Sequence, residues 1–411
     1  VFLNENPKGF IISQQPKEED RLSMLTDDIL LSILARVDVR TAARTSALST
    51  QWRRLPWLLP EISINAKKFL PIPGLNPIEV KDTEEAMASL TKATRSFLGN
   101  RHKESSISTL HLKIYLINTF LREVGPLIGA ATDSGLLKDL DLTILDEVDA
   151  LDRSEEDMLQ RAQEIDAFFI AYPSVLHFLT KLSLYNVRID KLDTHHLLFE
   201  CCKQLKHLCL SRCDTGAHPP FKIDAPNSEL RVLELAKSRF ERLELLWIQP
   251  EMKQLLPAFN KLRKLSVRGI FVEFYLEWTI AFLVAAPCIE MLHIEVWEHT
   301  CDLDEKIRRW YPKRRTPRWE MHFDGSKNSL LKELEFIGFR SLRHQFTFIR
   351  SILERAPNMQ RIVLKGDEQC EYCDALDTPP CPSKFPKDEE QEIVVKRIRD
   401  GIFSTQIFFD E

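Results

Sequence analysis

With 411 residues and 44% hydrophobic side chains, the chain can bury a large core, as two or three domains or as one long repeat array. Its 61 acidic and 56 basic residues leave a formal charge of only −5, so composition argues against nucleic acid as a partner. No apolar run approaches the length of about eighteen residues that a membrane-spanning helix needs, and no membrane role is expected.

Residues 1–19 are polar and Pro-containing and read as a flexible tail. They lack the basic and then apolar stretch of a signal peptide. The chain starts at Val1 without an initiator Met, as a trimmed sequence would. From residue 20 to 57 three short helices are predicted. Thr26 is set to cap the first, with Asp27 and Asp28 in its positive first turn. Ile29, Leu30, Ile33, Leu34 and Val37 recur at helical spacing as one wide apolar stripe. Asp38 caps a second helix with the small residues Ala42, Ala43 and Ser46. Ser49 caps a third that carries Trp52 and Leu55.

So short a segment cannot bury this much Leu, Ile and Trp by itself. An apolar patch left exposed points to a partner. The segment resembles an F-box, on Asp20-Arg21-Leu22-Ser23, Leu25 to Leu34, Arg44 to Ser49 and Trp52-Arg53-Arg54-Leu55. Thr26 departs from the Pro usual in that family but keeps the capping chemistry. The resemblance implies that Leu22, Leu25, Thr26, Ile29, Leu30, Ile33, Leu34, Val37, Ala43, Leu48 and Trp52 contact a Skp-type adaptor.

After Trp57 a short pattern, L-x-x-L-x-L, keeps returning. It recurs at Leu59-Ile62-Ile64, Ile107-Leu110-Leu112, Leu137-Leu140-Leu142 and Leu179-Leu182-Leu184, and continues to Met359-Ile362-Leu364. The fullest copy is Leu205-Lys-His-Leu208-Cys-Leu210-Ser-Arg-Cys213. Central leucines are 26 residues apart from Leu182 to Leu208 and 25 from Leu208 to Leu233, inside the leucine-rich repeat period. Longer intervals hold helices. One runs from about Thr83 to Phe97, capped by Asp82 and closed by Gly99. Another is capped by Ser154, with Asp157 three residues on and Pro173 beyond its end. The alternative is an ordinary α/β domain of alternating strands and helices.

If the leucines of each strand turn into the core, the residues between them point outward. Aligning the motifs puts Asp141, Ser183, Cys209, Glu234, Ser266, His293, Glu335 and Val363 in one outward column. Thr143, Tyr185, Ser211, Ala236, Arg268, Glu295, Ile337 and Lys365 form the next. Tyr185, Glu234, Arg268, His293, Glu295 and Glu335 are the candidate target-binding residues. The mix of acids, bases and small polar groups suits a protein-binding surface and equally a solvated sheet face.

Near the C-terminus, Leu331 to Phe339, Phe346 to Ala356 and Pro357 to Leu364 read as strand, helix, strand. This order and sequence resemble the FBD motif of plant F-box/FBD/LRR proteins. The expected architecture is therefore α/β: a tail over 1–19, a three-helix F-box over 20–57, an irregular leucine-rich-repeat solenoid over 58–330 and an FBD-like cap over 331–411.

The nine cysteines are odd in number and scattered, which fits reduced thiols in cytosol or nucleus. Cys370-Glu-Tyr-Cys373, with Cys381 beyond, is half a zinc-site spacing without a second pair. The cluster Arg308-Arg309-Trp-Tyr-Pro-Lys313-Arg314-Arg315-Thr-Pro-Arg318-Trp319 is basic with aromatic residues between. It reads as a solvated insertion, as a nuclear import signal or as a nucleic-acid or inositol-phosphate site. No nucleophile elbow, P-loop, dinucleotide fingerprint or His-Glu-x-x-His motif occurs, and no metal or cofactor is expected. What the family resemblance implies is a non-catalytic substrate receptor in the nucleus or cytoplasm. It would join a Skp–cullin–RING ubiquitin ligase through the adaptor and a target protein through the repeats, acting by proximity. An adaptor-bound scaffold that directs no degradation is the alternative.

Overall fold

A computed structural model describes residues 24–71, 78–99, 101, 105–147, 154–188, 202–213, 228–236, 258–272, 276–297, 327–366, 384–400 and 405–410. The chain divides into two compact units, Val1–Pro60 and Glu61–Glu411.

The first unit is built on helices α1 (Asp27–Leu34) and α2 (Val39–Thr45) and a 3₁₀ helix over Leu55–Leu58. Thr26 holds the extended N-cap backbone of α1, but its side chain makes no capping bond. Asp38 does cap α2: its Oδ1 accepts from the N–H groups of Arg40 and Thr41, each at 3.0 Å. These bonds, with one from the Thr41 hydroxyl as the largest, hold the Asp38 carboxyl below its ordinary range. The third predicted helix is a run of turns ending in the 3₁₀ helix. Pro56 is the reason. An α-helix through it would lose a backbone bond and clash one turn back, whereas Pro near the start of a 3₁₀ turn loses nothing. The Gln51 side-chain amide donates to Leu25 O at 3.1 Å and Asp27 Oδ1 at 3.0 Å. Arg54 adds an ion pair to Asp27. These bonds tie the turns to the start of α1.

The second unit is mixed α/β and carries an eleven-stranded parallel sheet whose spatial order is the sequence order. Its strands are β1 (Glu61–Asn65), β2 (Ile107–Ile114), β3 (Leu137–Ile144), β4 (Leu179–Tyr185), β5 (His207–Ser211) and β6 (Val232–Ala236). They continue as β7 (Lys264–Phe271), β8 (Met291–Trp297), β9 (Glu333–Ile337), β10 (Arg361–Lys365) and β11 (Gln406–Asp410). One register line crosses the whole sheet: Ile64, Leu112, Leu142, Leu182, Leu208, Leu233, Leu265, Leu292, Leu334, Ile362 and Ile407. All but Ile407 are buried.

Two expectations change here. The motif alignment set Leu140 beside Leu182, but the register places Leu142 there, with an irregularity at Leu140/Asp141. Asp141 therefore faces Lys181 and Thr143 faces Ser183. Both pairings put leucine against leucine, so the motif could not distinguish them. Strand β11 was not anticipated; its Gln-Ile-Phe-Phe-Asp lacks the leucine motif, yet it pairs in register with β10.

Helices α3 (Val80–Gly99), α4 (Asn118–Asp133), α5 (Glu155–Ala171) and α6 (Pro173–His177) lie in the connections between the first strands. The predicted capping box of α5 is present between Ser154 and Asp157. Arg161 of α5 is buried and donates to the carbonyls of Tyr185 at 2.9 Å and of Leu145, which ties the C-terminal ends of β3 and β4 together. Gly125 of α4 lies so close to Tyr172, between α5 and α6, that an added Cβ would sit 2.6 Å from the ring. Helix α7 (Ile280–Ala285) precedes β8, and its carbonyls are held by Asn328, which donates to Ala286 O at 3.0 Å. Helix α8 (Arg343–Arg355) joins β9 to β10, giving the expected strand–helix–strand. Phe336, Phe339, Phe346 and Phe348 pack there ring against ring. Helix α9 (Glu389–Arg399) precedes β11.

Candidate functional site

Two surfaces carry the chemistry that binding would need. The first is on the N-terminal unit. Helical spacing made Ile29, Leu30, Ile33, Leu34 and Val37 one stripe, and the fold splits it. Leu30 and Leu34 are buried, with Ala42, Trp52 and Leu55 also buried in this unit. Ile29 is 47% exposed, Ile33 39%, Val37 39% and Leu48 68%, and Met24 ahead of them is 75% exposed. Leu30, Leu34 and Trp52 were named with the contact residues; their side chains are interior and build the surface without forming it. Thr26 is exposed, and Leu25 and Ala43 are half-buried. Leu22 lies outside the described residues.

The second surface is the outward face of the sheet. Three histidines on it pair across strands with carboxylates. His111 Nδ1 lies 2.8 Å from Asp141, His207 Nε2 3.2 Å from Glu234, and His293 Nδ1 2.7 Å from Glu335. Lys365 then contacts Glu335 at 3.1 Å and Asp410 at 3.2 Å, so one chain of charges crosses β8 to β11. The pairs titrate differently. Asp141 raises the His111 imidazole against the cost of burial. His293 is only 4% exposed, and burial outweighs Glu335 and lowers it. The His207 contact holds the Glu234 carboxyl down to about 2. Burial raises the Glu335 carboxyl, but its bonds from Lys365 and His293 prevail and leave it lowered. Burial, with Glu234 nearby, pushes the Cys209 thiol up to about 11, so Cys209 is no activated nucleophile.

Of the six candidate target-binding residues, Glu234 and His293 fall in the column next to Ser266, and Glu335 extends it. Arg268 and Tyr185 belong to the following column, where Arg268 Nε donates to Ser266 Oγ at 3.2 Å. Glu295 faces Ile337 and is buried. The face is therefore more internally satisfied than a row of free charges. Phe408 of β11, 44% exposed with the Arg361 guanidinium 5.1 Å above its ring, joins the column of Glu335 through Val363 and was missed with its strand.

Among the described residues no group of His, Cys, Asp and Glu could hold a metal ion, and no helix is long and apolar enough to cross a membrane. Cys370, Cys373 and Cys381 and the cluster Arg308–Trp319 lie outside the described residues.

Residues 22–56 match the F-box domain family. The F-box/FBD/LRR-repeat protein At2g04230 of Arabidopsis thaliana is 28% identical over 221 residues, covering 53% of this chain and 48% of that protein. The F-box/FBD/LRR-repeat protein At5g53840, also of Arabidopsis thaliana, is 40% identical over 57 residues, 14% of this chain and 13% of that protein. The chain thus spans about half the length of the first of these relatives. A solved structure of the Rad7 and Elc1 complex in yeast contains a chain that matches with a TM-score of 0.35 and 13% identity, over 85% of this chain and 89% of that one. A likeness at that score carries no argument about this chain.

Proposed function

From the F-box match at residues 22–56 and the likeness to F-box/FBD/LRR-repeat proteins, we propose that this chain is the substrate-recognition subunit of a Skp–cullin–F-box ubiquitin ligase. In this reading the N-terminal unit docks a Skp-type adaptor and, through it, a cullin–RING assembly. The sheet is an irregular leucine-rich-repeat array whose last part, from residue 331, is the FBD. Its outward face holds a target protein for ubiquitin transfer in the nucleus or cytoplasm. The subunit brings no acid, base or nucleophile of its own; it raises the local concentration of a target lysine.

The observation that carries the reading is the split stripe on α1. Leu30 and Leu34 complete an interior while Ile29, Ile33, Val37 and Leu48 stay in solvent. Several exposed aliphatic side chains on so small a unit gain by being covered. The test is capture of a Skp-type adaptor by the full chain. Ile33→Asp is expected to abolish capture with the far-UV circular dichroism unchanged; full capture by that variant would sink the assignment. A ubiquitination assay with the cullin then separates a receptor from an adaptor-bound scaffold.

A further inference from the structure

The outward face has a rim where each strand begins, and that rim is built as a ladder. Lys206 N donates to Thr180 O, Arg231 N to Lys206 O, Arg263 N to Arg231 O and Glu290 N to Arg263 O, each at 2.8 Å. The series continues through Lys332 at 2.9 Å and Gln360 at 2.8 Å. Each carbonyl also accepts from the next residue along: Val232 N reaches Lys206 O at 2.9 Å and Lys264 N reaches Arg231 O at 3.0 Å. The rim backbone is thus fixed at two bonds per rung, and successive rungs step by about 4.8 Å, the strand spacing.

Four of these six rung residues are basic, the other two being Glu290 and Gln360. Lys206, Arg231, Arg263 and Lys332 are exposed, and Lys181 and Lys264 stand half-exposed on the neighbouring outward positions. The carboxylates in and beside the row are engaged, Glu229 with Lys261, Glu290 with Arg263 and Glu333 with Arg361. Among the described residues no carboxylate pairs with Lys181, Lys206, Arg231, Lys264 or Lys332. This contrasts with the histidine–carboxylate column beside it, where the charges are matched within the fold. Cations held at regular intervals on a stiff backbone, most of them in no direct ion pair among the described residues, lose little entropy when an anionic chain engages them.

We propose that this rim, across β4 to β9, binds an extended acidic segment of a protein target, the anionic groups being carboxylates or phosphates. The inference rests on the receptor reading and names the chemistry of what the receptor holds. A protein segment fits better than a nucleic acid strand. The outward positions just inside the rim are Lys181, His207, Val232, Lys264, Met291 and Glu333, the last paired with Arg361 at 3.7 Å. They offer apolar contacts between cations and no aromatic ring for a base to stack on.

The test uses the full chain bound to its adaptor and four fluorescent probes read by polarisation. These are a peptide alternating Glu with Val, its phosphoserine and Gln counterparts, and an oligothymidylate of matched charge. The acidic peptides are expected to bind and the Gln peptide not, with the Glu and phosphoserine arms showing which anion is preferred. The combined variant Lys206→Ser, Arg231→Ser and Lys264→Ser is expected to weaken the acidic probes by about tenfold or more. Lys206→Arg with Lys264→Arg keeps binding, and Lys67→Ser with Lys68→Ser, elsewhere on the surface, leaves it unchanged. Equal binding by the rim variant, or an equal loss in the Lys67/Lys68 control, overturns the proposal. So does oligothymidylate binding more tightly than either peptide and lost with the same three residues. Adaptor retention is read in the same samples. Its loss counts against the receptor reading, whereas retained adaptor with indifferent probes counts against the rim alone.

Discussion

The N-terminal unit and the sheet treat their outward side chains in opposite ways. On the unit of residues 24–60, aliphatic groups such as Ile29, Ile33 and Leu48 stand uncovered above a small interior. On the sheet's outward face, polar groups are partnered within the fold, as His293 is with Glu335 and Glu335 with Lys365. One surface is incomplete without something apolar laid on it. The other is complete as it stands, except along its basic rim. Docking on the first is driven by burial of area, and on the second by exchange of charge, so the two should respond oppositely to salt.

The sharpest way to break this contrast is to exchange neighbours on α1. Leu30→Asp places an unpaired carboxylate where the side chain is buried, a cost of about 3–5 kcal/mol, and should unfold the N-terminal unit. Ile33→Asp, three residues on and exposed, should leave the thermal midpoint in place while adaptor capture is lost. Equal destabilisation by the two would show that the exposed row is structural after all. In the second unit, Gly125→Ala on α4 sets a methyl 2.6 Å from the Tyr172 ring. Overpacking of that kind costs about 1–3 kcal/mol, seen as a lower urea midpoint with adaptor binding intact. Removing the α2 cap by Asp38→Ala should cost about 1 kcal/mol, measurable by the same titration.

Glu234 and Glu335 stand outward on the sheet but are not free surface charges. Their side chains are only 26% and 23% exposed and each is paired. Reversing either therefore sets a cation against His207 or Lys365 and should lower the midpoint modestly, by more than the roughly 0.5 kcal/mol of a free surface site.

The smallest effect sharpens the contrast within the sheet. His293 is lowered by burial, so acidification below its free value of 6.5 penalises the fold, because the unfolded chain takes up the proton first. His111 is raised by Asp141; its contribution is full below 6.5 and is lost as pH rises through its folded value. His293→Asn should flatten the acid side of the thermal midpoint profile and His111→Gln the alkaline side, each by about 1 °C. Profiles that superimpose on the parent would show that neither imidazole is coupled to folding.

The strands were legible because leucines spaced as L-x-L mark a buried face whatever lies between them. What escaped had physical reasons. The five apolar positions of α1 cover more than one face, and only packing decides that Leu30 goes in and Ile29 out. The misjudged neighbours of Asp141 and Thr143 come from a two-residue slip that exchanges one leucine for another and leaves the core unchanged. Strand β11 hides because its inward residues, Ile407 and Phe409, are only half covered. The basic rim was in plain sight as Lys206, Arg231 and Arg263. Each follows its motif leucine by one residue, a position given no weight because it lies in neither column.

The rim ladder has a further consequence. From β4 onward each strand passes on one rung to the next regardless of how many residues intervene, from the short link between β4 and β5 to the long one between β8 and β9. Distance along the face is therefore counted in strands, as on a ruler, and chain length does not enter. Lys206 and Lys332 are 126 residues apart in sequence but four strands apart in the sheet, roughly 19 Å at the usual spacing. Residues added in a connection leave every graduation where it was, while one residue added inside a strand turns all the side chains beyond it to the other face. Change in such a molecule is cheap between the marks and forbidden upon them.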